Sequence, residues 1–93
     1  MNGQNAAEVL ALRALVWTLG DDTLRDGFLV ATGALPADLA AGAREPAFLG
    51  AVLDFILADD ARVMAFCQAE GLGFDQPMQA RAALPGGAVP HWT

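Results

Sequence analysis

The sequence predicts an all-α fold, a bundle of about six short helices, and three observations carry that reading. Apolar residues recur at helical spacing along most of the chain, and the interruptions fall on Asp, Gly and Pro, which start or stop helices. Apolar residues make up 55% of the 93 and charged ones 17%, so burial can offset the entropy of ordering the chain.

The first helix is expected from Asn5 to Leu19, with Val9, Leu12, Val16 and Leu19 as its apolar stripe and Leu10 and Trp17 widening it. Gly20-Asp21-Asp22 interrupts the pattern. An Asp before an apolar run can accept the free N–H groups of a helix's first turn, so a second helix follows from Thr23 to Thr32, closed by Gly33. Pro36, whose fixed φ suits a first helical position, opens a short third helix ending near Arg44. Pro46 opens the fourth, in which Phe48, Leu49, Val52, Leu53, Phe55, Ile56 and Leu57 leave little that is polar, so it is the expected centre of the core. Asp59-Asp60 caps the fifth, which carries Val63, Met64, Phe66 and Cys67 and stops at Gly71. Asp75 and Pro77 start the sixth, to about Leu84. One helical domain over 1–84 is thus expected, followed by a Pro/Gly-rich extended tail over 85–93.

Displacing the sequence by 38 residues aligns Arg13–Gly33 with Ala51–Gly71 and yields seven identities: Leu15/Leu53, Leu19/Leu57, Asp21/Asp59, Asp22/Asp60, Phe28/Phe66, Ala31/Ala69 and Gly33/Gly71. Trp17 stands opposite Phe55. The pattern predicts two tandem three-helix repeats, 5–42 and 43–84, packed face to face about a pseudo-twofold axis through the first and fourth helices.

Charge limits the function classes. Five arginines, scattered singly, face eleven carboxylates for a net charge of −6, and lysine is absent. Such a field repels nucleic acid and anionic membrane and favours a basic or apolar partner. No apolar run approaches the ~20 residues needed to span a bilayer. One cysteine, Cys67, excludes an internal disulfide, and the start of the chain lacks a basic n-region, so a reducing cytoplasm is the expected setting.

Chemistry has few places to reside. Serine and tyrosine are absent, and the single histidine, His91, lies in the tail, so a Ser/His or Cys/His nucleophile pair is not expected within the chain. No zinc ligand set or phosphate-binding glycine loop is present, and no cofactor is expected. The Asp-Asp pairs read as helix caps, although Asp54, Asp59 and Asp60 could together bind a small ligand or a metal, with enzymatic use of either, which is the alternative reading. A third is DNA binding, because Gly33 to Leu39 has the form of the turn in a helix-turn-helix; against it, the helix that follows carries Asp38 and one cation, Arg44. Trp92 either folds back on the core or, with His91 beside it, docks another chain.

The succession Phe28–Gly33, Leu35–Leu39, Glu45–Leu49, Val52–Phe55 with Asp59, and Leu84–Gly87 with His91-Trp92-Thr93 resembles a family of small alphaproteobacterial proteins classed as a domain of unknown function. The resemblance spans nearly the whole chain and implies a cytoplasmic, bacterial, helical protein, with no site residues to carry over. The expectation is therefore a non-enzymatic protein-interaction or regulatory module, whose partner is another protein or a second copy of the chain.

Overall fold

Local punctuation sets nearly every helix boundary. In the computed structural model, which describes residues 3–85, α1 spans Gly3–Leu19, α2 Asp22–Thr32, α3 Leu39–Gly42, α4 Pro46–Leu57, α5 Asp60–Glu70 and α6 Gln76–Ala82. A single 3₁₀ turn, Pro36–Asp38, leads into α3. There is no strand among the described residues, and the radius of gyration of 12.4 Å is that of a compact globule.

The caps follow the physics expected of them. Asp21 accepts from the Leu24 N–H at 2.9 Å and Asp59 from the Ala61 N–H at 2.8 Å, each satisfying a first-turn donor that has no partner within the helix. Gly33 and Gly71 end α2 and α5 with φ of 73° and 70°, the left-handed region where a side chain would be strained. Pro46 begins α4 without losing a helical hydrogen bond. The third helix is short and ends near Arg44, as expected, and is built as one 3₁₀ turn and a four-residue α-helix.

Helix α4 is the centre. Leu49, Val52, Leu53, Phe55 and Ile56 are buried along it, and α1, α2, α5 and α6 all pack against it. Phe28 of α2 is fully buried and meets two rings edge-on, Phe48 at 5.7 Å and Phe55 at 5.5 Å between centroids, the arrangement that sets a positive ring edge on a negative face. Trp17 and the fully buried Phe66 make a tilted contact at 5.5 Å. Trp17 and Phe55 stand 38 residues apart, as do Phe28 and Phe66; each first-named ring thus touches a phenylalanine of the other half. The third helix of the first half is a 3₁₀ turn followed by four α-helical residues, whereas α6 is α-helical throughout, and the tandem repeat is not confirmed.

Part of the stripe read on α1 faces outward, while Leu10 is buried and Trp17 and Leu19 pack against the core. Val9 and Val16 are 58% and 71% exposed, and Leu12 is exposed with them. The buried face is Ala7, Leu10, Ala11, Ala14, Leu15 and Thr18. Helix α1 packs against α4, α6 and α2, and three alanines at the contact let those backbones come close, which a face of valines would prevent. Thr18 is the one polar residue buried there, and its hydroxyl donates to the Ala14 carbonyl at 2.8 Å, so that hydroxyl is satisfied.

Candidate docking surface

The carboxylates proposed as a ligand or metal site are separately occupied. Asp54 receives a two-pronged ion pair from Arg81, Nε to Oδ1 at 2.7 Å and Nη2 to Oδ2 at 3.2 Å. Arg81 lies over Gly50, where a Cβ would stand 2.7 Å from Nη1, and Nη1 also donates to the Pro85 carbonyl at 3.0 Å. The arginine therefore ties α4, α6 and the residue after them together. Asp59 is the α5 cap, and Asp60 is exposed in the first turn. Among the described residues no group of three acidic, His or Cys side chains is arranged to hold a cation; the Asp54/Asp59/Asp60 cluster of the alternative reading does not form one, since Asp54 is taken by an arginine and Asp59 by a backbone N–H. The helix-turn-helix reading meets a similar correction: α3 has four residues, too short to lie in a major groove and present side chains along it. His91 and Trp92 lie outside the described residues.

Cys67 is a packing residue. It is buried, and its Sγ lies 3.5 Å from the Gly73 carbonyl, to which it donates. Burial first, and the Asp75 carboxylate second, push the thiol above its ordinary 9.0, so it stays protonated and unreactive near neutrality. With no lysine or tyrosine in the chain, Cys67 is the one side chain that titrates between about pH 8 and 12. Above pH 9.0 the unfolded thiol ionises while the folded one holds its proton, so the unfolded state binds fewer protons and stability falls as pH rises. Thermal unfolding followed upward from neutral pH should show this loss in the wild type and not in Cys67→Ala; parallel curves would refute the assignment.

A surface cleft of about 540 Å³ lies between α2, α4 and α5 and includes Thr32, Asp54, Phe55 and Arg62. Its polar groups are turned to the protein. Arg62 sits 4.0 Å over the Phe55 ring and donates from Nη1 to the Phe55 carbonyl at 2.7 Å. Thr32 donates to the Phe28 carbonyl at 2.8 Å, and Asp54 is held by Arg81. Convergent groups aimed at a substrate, the usual mark of a ligand pocket, are not what this cleft offers.

A different surface is apolar and open. Leu57 at the end of α4, Val63 and Met64 of α5, and Phe74 and Met78 at α6 line a groove of about 350 Å³, with Asp60 at its edge. Phe74 and Met78 are 54% and 66% exposed, and Met64 is exposed beside them. Unbranched thioethers reshape to fit several partners, and large exposed apolar side chains gathered in one place mark binding surfaces more often than scattered ones do. None of the five arginines lines this groove, while Asp59 and Asp60 lie at the start of α5 and Asp75 lies in the chain between Phe74 and Met78. Sequence reasoning assigned Met64 to the fifth helix and passed over Phe74 and Met78. The available signal was two large apolar residues flanking the Asp75-Gln76-Pro77 helix start, where only Pro77 is buried.

Fold and surface together define a small all-helical domain with open apolar faces between acidic helix ends. The family described as "Protein of unknown function (DUF3572)" matches residues 4–87, and the chain belongs to that family. No curated protein and no solved structure matches it.

Proposed function

We propose that the chain is a non-enzymatic protein-interaction module, a single helical domain over 1–84 with the tail 85–93, working in a bacterial cytoplasm. The observation that carries this reading is the α5–α6 groove, where Met64, Phe74 and Met78 are exposed together. Its occupant is an amphipathic helix with basic flanks: apolar anchors fill the groove, and Lys or Arg at the helix edge meets Asp60 and the surplus of six negative charges. His91 and Trp92 are proposed as a further docking element.

The test uses a fluorescent Leu/Lys amphipathic peptide and its Leu/Glu counterpart, titrated against the full chain. The basic peptide should bind, with amide shifts centred on Met64, Phe74 and Met78, and the acidic one should not. Met64→Gln/Met78→Gln should weaken binding by roughly tenfold or more, whereas the fold is spared because both residues are exposed. Equal binding of the two peptides, or no change in the double variant, would overturn the proposal. Truncation after Leu84 separates the tail's part: weaker peptide binding assigns it a share, and unchanged binding removes it.

A further inference from the structure

The outward stripe of α1 has a register of its own. Val9, Leu12, Val16 and Leu19 follow one another by three, four and three residues, the spacing of a and d positions in a heptad, with valine at a and leucine at d. Val9, Leu12 and Val16 are exposed, while Leu19 is half-buried against the protein's own core. Among the described residues no element covers these three, because α1 meets α2, α4 and α6 through its alanine-rich face.

The charges beside the stripe are also those of a seam. In this register Glu8 falls at g and Arg13 at the following e, five residues apart, the pair that bridges two parallel helices. Glu8 accepts from Gln4 at 3.1 Å. Arg13 is braced by Glu70, Nε to Oε1 at 2.9 Å and Nη2 to the Glu70 carbonyl at 3.0 Å. That brace holds the guanidinium at the edge of the stripe: Val9, Leu12, Arg13, Val16 and Glu70 line one shallow groove of about 320 Å³.

We propose that α1 is a self-association helix, and that two copies of the chain pair through it side by side, parallel and in register. Val9, Leu12 and Val16 each meet their own counterpart, and Glu8 of each copy reaches Arg13 of the other. The charges choose the direction, since an antiparallel pair would set Arg13 against Arg13 and Glu8 against Glu8. The choice of a second copy follows from this self-complementarity: one stripe supplies both the apolar layers and both signs of flanking charge. A seam of three layers is short, so the pair forms in a concentration-dependent equilibrium. This inference stands on α1 alone and is independent of the α5–α6 groove.

Sedimentation of the full chain at increasing concentration should show monomer passing to dimer. Val16→Glu places like charges opposite each other in the seam and should weaken the dimer by roughly tenfold or more. Val30→Glu, on α2 and 84% exposed, is the control and should leave it unchanged. Direction is read by mild oxidation of Val9→Cys, because Cys67 is buried and does not compete. Crosslinking of Val9→Cys to itself supports the parallel pair. Crosslinking only in a mixture of Val9→Cys and Val16→Cys overturns the direction, and a mass that stays monomeric, or a dimer indifferent to Val16→Glu, overturns the proposal.

Discussion

Phe28→Ala is expected to cost about 3–5 kcal/mol, the largest effect of any single truncation considered, and to bring the domain close to unfolding. The residue is fully buried and takes part in two T-shaped ring contacts, with Phe48 and Phe55. Removing it takes away one side of both contacts and leaves a void bounded by α4, a helix whose backbone is held by neighbours on several sides and cannot collapse inward. Against a total stability of about 5–15 kcal/mol for a chain of this length, that loss is a large fraction. Urea unfolding measures it. Phe74→Ala, which removes an exposed ring, should cost far less, and similar midpoints for the two variants would contradict the core assignment.

Gly42→Ala is expected to destabilise by about 1–2 kcal/mol, against the usual direction for a glycine in a helix, where alanine gains roughly 0.5–1 kcal/mol. The sign turns on space. Gly42 is buried at the end of α3, and a Cβ there would stand 2.8 Å from Cγ and Cδ2 and 2.9 Å from Cδ1 of Phe48. The ring is also packed edge-on with Phe28, which limits how far it can retreat. Gly20 is the control: a Cβ there meets only backbone oxygens at 3.5 and 3.6 Å, ordinary contact, so Gly20→Ala should be neutral or slightly stabilising. Shrinking the neighbour in Gly42→Ala/Phe48→Leu should recover part of the loss beyond additivity, a coupling that residues out of contact would not show. A stabilised Gly42→Ala would mean that α3 is free to move away from α4.

The two glycines also show why the sequence is read unequally well. Gly33 and Gly71 were legible as helix stops because a left-handed turn is a property of one residue and its immediate neighbours. Gly42 and Gly50 were not, because what makes each necessary is a side chain from elsewhere, Phe48 for one and Arg81 for the other. The same holds for Asp54. On paper it belongs with Asp59 and Asp60 as a run of acids; in space it belongs to Arg81, 27 residues away. The groove of Met64, Phe74 and Met78 was equally out of reach, since a methionine in a helix is as good a core residue as an exposed one until its neighbours are known.

By itself, the sequence determined the helices, their order and their ends. Asp21, Asp59, Pro46, Gly33 and Gly71 act on backbone groups within four residues, so their effect is written locally. It also determined the buried centre, because α4 is apolar on nearly every side and no choice of face could expose it. What only the tertiary structure decided is which face of α1 turns inward. Val9, Leu12 and Val16 turn outward while Ala7, Leu10, Ala11, Ala14 and Leu15 are buried, because the alanines on that face let the neighbouring helices approach closely while its leucines fill the core.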